Sequence, residues 1–454
     1  MVIEQPSESS PGPSRRDFLL AASAAFAVAG CSGGPARRDR NSRLRIAQIG
    51  CNGKGLSDMR ACAKEHDIVA LCDIDEQRAG PARAEHPNAK FHFDYRDLLD
   101  REKLDAVVVS TPDHSHALPA LIAMQLGYHV FVQKPLAHTV EEVRLLKETA
   151  RRTGAITSMG NQGTCLDGFR EAAEIVRSGG IGEVREVHVW TDRCSRWWAQ
   201  GIPRPDWIDP IPASLRWDLF LGSAPWRPFA AARKGKAFQG YTPFHWRGFW
   251  DFGTGALGDM ACHVANLACF ALDLWDPEWI EADTTEVNEE TAPLQSTIRY
   301  HFPARGGRGE VDLTWYDGGR LPPAALLPGV QWRQGGFLLV GSEGMLYSPT
   351  DYGEKYELHP REKFREYEKP APFLPRSKGI HEEWLEGILE GRQPMASFDY
   401  AARLAETVLL GNVAIRAGQR IEWDAAAMRA KNLSDAERFL RKEYRRGFEL
   451  PRGA

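Results

Sequence analysis

Leu44-Arg45-Ile46-Ala47-Gln48-Ile49-Gly50-Cys51-Asn52-Gly53-Lys54-Gly55 is the stretch that decides how this chain is read. A short apolar run stops at Gly50, and a stretch with helical spacing, Ser57–Lys64, follows the glycines. Strand, glycine-rich turn and helix in that order begin a βαβ unit whose helix N-terminus can face a pyrophosphate. In the G-x-G-x-x-G register Gly50 makes the turn and Gly55 lets the helix approach the strand. Asn52 takes the middle place; Asn tolerates positive φ, and Gly53 beside it offers clearance. A second apolar run, Ile68–Asp73, ends in a carboxylate suited to ribose hydroxyls and repellent to a 2′-phosphate. The expected cofactor is therefore NAD rather than NADP.

Working outward, Lys90–Phe93, Ala106–Ser110, His129–Val132 and Ala155–Met159 read as further buried strands. Between them lie the helical stretch Ala117–Gln125, closed by Gly127, and a helix to about Arg152 opened by the capping box Thr139-Val140-Glu141-Glu142. Residues 43–165 thus predict a doubly wound parallel sheet, an α/β Rossmann domain. After Gly168 the pattern changes to one helix, Phe169–Ser178, then strands at Val184–Thr191, Ser296–Phe302, Glu310–Trp315 and Phe337–Leu346. Gly-Gly and Ser-Glu-Gly loops among them argue for a mainly antiparallel sheet in an α+β domain over 166–424. An amphipathic helix at 400–416, closed by Gly418, is expected to return across the junction, and 425–454 reads as a charged tail.

The 454 residues carry a net charge of -4, which gives no reason to expect nucleic acid as a partner. The N-terminus stands apart. Ser14-Arg15-Arg16-Asp17-Phe18-Leu19 and the short apolar run Phe18 to Gly30 match a twin-arginine export signal, and Val28-Ala29-Gly30-Cys31 matches a lipoprotein cleavage box. Residues 1–42 are read as signal and tether. The product is then expected in the periplasm, anchored to a membrane if Cys31 is lipidated. The other seven cysteines lack metal-type spacing and read as buried thiols; Asp113, His114 and His116 cluster without further ligands, so no metal is expected.

Two more stretches close strands: Ser110-Thr111-Pro112-Asp113-His114-Ser115-His116 and Gln133-Lys134-Pro135-Leu136. A third, Gly258-Asp259-Met260-Ala261-Cys262-His263, follows the aromatic run Phe244–Trp250. In this order they resemble the glucose–fructose oxidoreductase / inositol dehydrogenase / MocA family over residues 43 to 424. The resemblance implies an open-faced sheet packed beside the Rossmann domain, hydride transfer with a sugar or polyol, and a homo-oligomer. It matches Lys134 to the lysine of the family's E-K-P motif, and Asp259 and His263 to its D-x-x-x-H helix. Gln133 stands where the family has glutamate, keeping hydrogen bonds but not charge.

Oxidising a carbinol needs a base for the hydroxyl proton and a cation for the developing alkoxide. Asp259 and His263 are four apart and share a helix face, so His263 is the candidate base, oriented by Asp259, with Lys134 on the alkoxide. Ser110, Thr111, Pro112, His116, Gln133 and Lys134 are expected around the cofactor. Gln162, His245, Arg247, Trp250 and Asn266 are expected around a carbohydrate. Trp190 to Trp279 holds ten of the fourteen tryptophans, most of them read as packing. Export adds that the cofactor is tightly held, since no nicotinamide pool is expected outside the cytoplasm. Two rival readings remain: a redox-neutral hydrolase, lyase or epimerase working through transient oxidation, and a binding or sensory protein, against which Lys134, Asp259 and His263 together speak.

Overall fold

The computed structural model describes residues 42–233 and 240–451. The expected export signal and Cys31 lie outside these residues. The first domain runs β1 (Arg45–Ile49), α1 (Lys54–Ala63), β2 (Asp67–Cys72), α2 (Gly80–Glu85), β3 (Lys90–His92), α3 (Tyr95–Arg101), β4 (Ala106–Val109), α4 (Ala117–Gln125), β5 (His129–Val132), α5 (Val140–Thr153) and β6 (Thr157–Met159). Its strands pair in parallel in the order β3-β2-β1-β4-β5-β6. β4 is Ala-Val-Val-Val, buried throughout, as a central parallel strand covered on both faces must be. The order reverses between β1 and β4, and the crevice beyond those strand ends is where such sheets bind ligands. Thr139 caps α5 through the reciprocal box with Glu142.

The chain continues through α6 (Asp167–Arg177), β7 (Val184–Thr191), α7 (Cys194–Trp197), α8 (Trp217–Leu221), α9 (Gly255–Val264), α10 (Asn266–Leu272), β8 (Trp279–Thr284), β9 (Ser296–Phe302), β10 (Val311–Tyr316), β11 (Gly335–Gly341), β12 (Met345–Ser348) and β13 (Glu357–His359). It ends with α11 (Ile380–Glu390), α12 (Phe398–Ala417), β14 (Ile421–Asp424) and β15 (Arg429–Ala430). A nine-stranded sheet forms in the order β13-β12-β11-β7-β10-β9-β8-β14-β15. Its pairings are antiparallel except that β7 and β10 run parallel at its centre. The expected strand Phe337–Leu346 is instead a hairpin, turned by Ser342-Glu343-Gly344.

Two connections seat the domains on each other. α12 packs on α5 of the first domain and on β8 of the second. α11 also crosses back, laying Trp384 against the first sheet, where its indole N–H donates to the Ile156 carbonyl at 3.1 Å. The sequence reading contains neither α11 nor strands β8, β13, β14 and β15. Nor is the segment after 424 a free tail: β15 pairs with β14, and Ala436 and Leu440 are buried. Among the described residues no single helix is long and apolar enough to cross a membrane.

Candidate active site

A cavity of about 800 Å³ opens at the C-terminal ends of β1, β2, β4 and β5. Gly50 and Gly53 both adopt positive φ, 84° and 56°, so the irregular turn rests on Gly53 and not on Asn52. Asn52 holds Arg78 instead, donating to its carbonyl at 2.6 Å and accepting from its guanidinium at 3.2 Å. A Cβ at Gly55 would overlap the Gly50 carbonyl, the close helix–strand approach expected of the third glycine. A Cβ at Gly53 would meet nothing within 4 Å, which leaves open space over the N-terminus of α1. Asp73 ends β2 on the cavity wall and accepts from the amides of Cys51 (2.8 Å) and Asp75 (3.0 Å). Burial raises its pKa, and those two amides pull against the rise. Ser110, Thr111, Pro112, Gln133 and Lys134 line the same cavity. An open cradle at a helix N-terminus beside a ribose-type carboxylate fits a dinucleotide.

Gln133 and Lys134 each serve a different buried carboxylate. The Gln133 amide donates to Asp58 at 2.9 Å. Asp58 also accepts from Ser110 Oγ (2.8 Å), faces His381 Nε2 (3.0 Å) and pairs with Lys54. Burial opposes charge on Asp58, but His381 and Lys54 outweigh it and hold its pKa below the usual value. A glutamate at 133 would set a second carboxylate against the first, which gives a physical reason for the glutamine. Lys134 Nζ donates to both Oδ1 and the main-chain carbonyl of Asp259 at 2.7 Å, and Arg247 Nε reaches the same Oδ1 at 3.1 Å. Against burial, Lys134 and Arg247 hold Asp259 far below the usual carboxylate range. Arg247 lines the cavity, stacked 4.0 Å over Phe244 and 4.3 Å over Trp246.

His263 lies on α9 one turn beyond Asp259, but its hydrogen bond runs elsewhere. Nδ1 meets Asn161 Oδ1 at 3.1 Å, and since that oxygen only accepts, Nδ1 carries the proton and Nε2 the lone pair. Burial first, and Lys134 second, hold its pKa well below normal, so the ring is neutral. The edge of Tyr352 packs on it, centroids 4.7 Å apart. Asn161 Nδ2, just beyond β6 in the half of the fold that takes the nicotinamide, is buried without a partner among the described residues.

Several expected contacts fall outside the cavity. Both ends of the Asn266 amide are taken, by Thr164 Oγ1 (3.1 Å) and Tyr400, so it braces the domain junction. Trp250 is buried with its indole N–H on the Asn288 carbonyl at 3.2 Å and borders a separate crevice beside Arg416. Gln162 is not among the described cavity-lining residues; its neighbour Asn161 is the member of that loop that reaches His263. His116 is buried, with its ring nitrogens 2.8 Å from the carbonyls of Thr111 and Pro135. It clamps the β4 and β5 loops together, and burial pushes its pKa down to about 4. His245 stands beside the Phe244 ring, and burial and Arg247 lower its pKa. Asp58 and His381 are not among the residues expected from the sequence; the Lys54–Asp58 i,i+4 spacing is a local signal for the first. Among the described residues no three His, Cys, Asp or Glu side chains form a metal cluster.

The NAD-binding Rossmann-fold model of an oxidoreductase family matches residues 44–161, and that family's C-terminal α/β domain model matches 171–308. A glycosyl hydrolase family 109 protein of Solibacter usitatus is 34% identical over 199 residues, which is 38% of this chain and 44% of that protein. Inositol 2-dehydrogenase 2 of Saccharopolyspora erythraea is 32% identical over 149 residues, 32% of this chain and 44% of the relative. The match spans under half the length of these curated relatives. A WlbA dehydrogenase from Chromobacterium violaceum, solved with NADH and UDP-GlcNAcA, superposes with a TM-score of 0.59 at 16% identity, over 86% of this chain and 99% of that one. At that identity the likeness shows the fold alone. With both domain models matched in order, the chain belongs to the glucose–fructose oxidoreductase / inositol dehydrogenase / MocA family of NAD-binding oxidoreductases.

Proposed function

We propose that this chain is an exported oxidoreductase that transfers a hydride between a carbohydrate (a sugar, polyol or glycoside) and a tightly held NAD. One observation carries the reading. A single cavity joins the Gly50–Asp73 cradle to Lys134 and Arg247, whose shared counter-ion is Asp259. NAD held in the cradle of Gly50, Gly53 and Asp73 would supply the hydride acceptor for the carbinol carbon. Lys134 has three N–H donors and spends two on Asp259, which leaves one for the substrate oxygen. Arg247 keeps Asp259 ionised whether or not Lys134 turns to substrate. His263, buried one turn from Asp259 and not itself among the described cavity-lining residues, keeps its lone pair on Nε2 and remains the candidate base for the hydroxyl proton. Export rests on Arg15-Arg16 and the apolar run after them, and the lipid anchor on Cys31. Cell fractionation and the mass of the mature N-terminus test both. A homo-oligomer covering the open sheet face belongs to the same reading.

The glycosyl hydrolase family 109 relative favours a second reading, in which the sugar is oxidised only transiently and a glycosidic bond is eliminated. Incubation with glycosides in deuterated water separates the two. Net reduction of NAD or of a second sugar supports the first. Deuterium beside the oxidised carbon, with the bond cleaved and NAD unchanged, supports the second. Purified protein that neither carries nor binds a nicotinamide sinks both.

A further inference from the structure

We infer that residues 442–448, beyond both matched domain models, are part of the adenosine site and act as a strap that retains the dinucleotide. The inference rests on the NAD reading above. Phe448 is 6% exposed and lines the cavity next to Asp94 and Tyr95, which open α3 after β3. In a doubly wound dinucleotide fold the half built on β1–β3 takes the adenosine phosphate, and Asp73 stands in the same half. The guanidinium carbons of Arg96 and Arg445 lie 4.4 and 4.7 Å from the centre of the Phe448 ring and fix it in place. A fixed aromatic ring in the cavity wall at that end suits the apolar edge of a purine.

The strap is anchored on both domains. Arg445 donates to the carbonyls of Asp218 (2.5 Å) and Gly222 (2.9 Å) and pairs with the Asp218 carboxylate. Arg96 on α3 donates to the Gly447 carbonyl at 2.8 Å. Tyr444 and Lys442 both reach Glu142, the capping-box partner of Thr139 on α5, at 2.9 and 2.7 Å. The segment that Arg445 grips is itself fastened over the cleft: Arg216 N–H donates to the Ile74 carbonyl at 2.8 Å, and Leu215 bridges to Asp75. Leaving the cleft therefore means disturbing contacts drawn from three separate parts of the chain. That arrangement suits a cofactor that stays with its protein.

The test is NADH release, followed by fluorescence after a chase with excess NAD, in the whole protein and in Phe448→Ala and Asp218→Asn. Phe448→Ala is expected to release NADH about tenfold faster and to bind it correspondingly more weakly. Asp218→Asn, which trims an exposed anchor and spares the fold, is expected to speed release a few-fold. If Phe448→Ala does not fold, Asp218→Asn decides alone. Unchanged release overturns the inference, and so does tighter binding, which would mean that the segment competes for the adenosine space. A wild-type protein that binds no NADH removes the cofactor reading itself and this inference with it.

Discussion

Two buried carboxylates, Asp58 and Asp259, sit on either side of the loop that closes β5, and adjacent residues of that loop serve them. Gln133 gives Asp58 a neutral amide, while Lys134 gives Asp259 a cation. Asp58 has no exposed surface, and its donors come from α1, β4, β5 and α11. It is a junction of four segments that fixes the turn beneath the cofactor cradle. Asp259 is similarly buried, and partners of both carboxylates line the cavity: Lys54, Ser110 and Gln133 for Asp58, Lys134 and Arg247 for Asp259. The difference lies in where the partners come from: His381 ties Asp58 to a helix of the second domain, while Asp259 holds the two cations Lys134 and Arg247 on the cavity wall.

The sharpest way to break this comparison is at Lys134. Lys134→Met leaves Arg247 on Asp259, so the carboxylate is not stranded and the thermal midpoint should move little. Turnover should fall about 10²–10³-fold, as expected when a donor to a developing oxyanion is removed, with NADH binding retained. A large loss of stability with unchanged turnover would reverse the roles assigned to the two centres.

Next comes Gln133→Glu. It places a second carboxylate against buried Asp58 and should cost about 3 kcal/mol of stability. Combining it with Asp58→Asn moves the charge across the same hydrogen bond and should recover much of the loss in denaturant unfolding. Additive losses in the double variant would show that position 133 does not act through Asp58.

How far each centre was legible in the sequence follows from the reach of its contacts. The cradle was readable because its signals are local: Gly50, Gly53 and Gly55 lie within one turn, and Asp73 follows one strand on. β7 was readable from its apolar run, and Val184–Thr191 matches the observed strand. β8, Trp279–Thr284, was not, since Glu281 and Asp283 break up a short run on a partly exposed strand. Asp58 stayed hidden because its partner His381 lies 323 residues away, on a helix folded back from the second domain. Asp259 and His263 do lie one turn apart. Spacing alone could not reveal that His263 would pair with Asn161, 102 residues upstream, rather than with Asp259. The asparagine and tryptophan expected to bind sugar, Asn266 and Trp250, share the composition of a binding surface, but packing took them up.

The smallest expected effect concerns Asp113, which links the Asp259 centre to the β4 loop. Its carboxylate accepts from the Thr254 amide (3.1 Å) and hydroxyl (2.7 Å) at the entry to α9. Burial, with Asp259 nearby, pushes its pKa up to about 6 from 3.8, against the pull of Thr254, Lys134 and Arg247. A folded value above the unfolded one means a contribution that is whole below about pH 4 and is lost as pH rises through the folded value. Asp113→Asn keeps an acceptor for Thr254 and cannot titrate. Between about pH 5 and pH 7 the wild type should therefore lose about 1 kcal/mol more stability than the variant. Asp317, raised to about 7 by burial at one end of β10, is common to both proteins and cancels in the difference. Equal pH slopes would mean that Lys134 and Arg247 neutralise Asp113 as well as Asp259, extending the cationic centre to a second carboxylate.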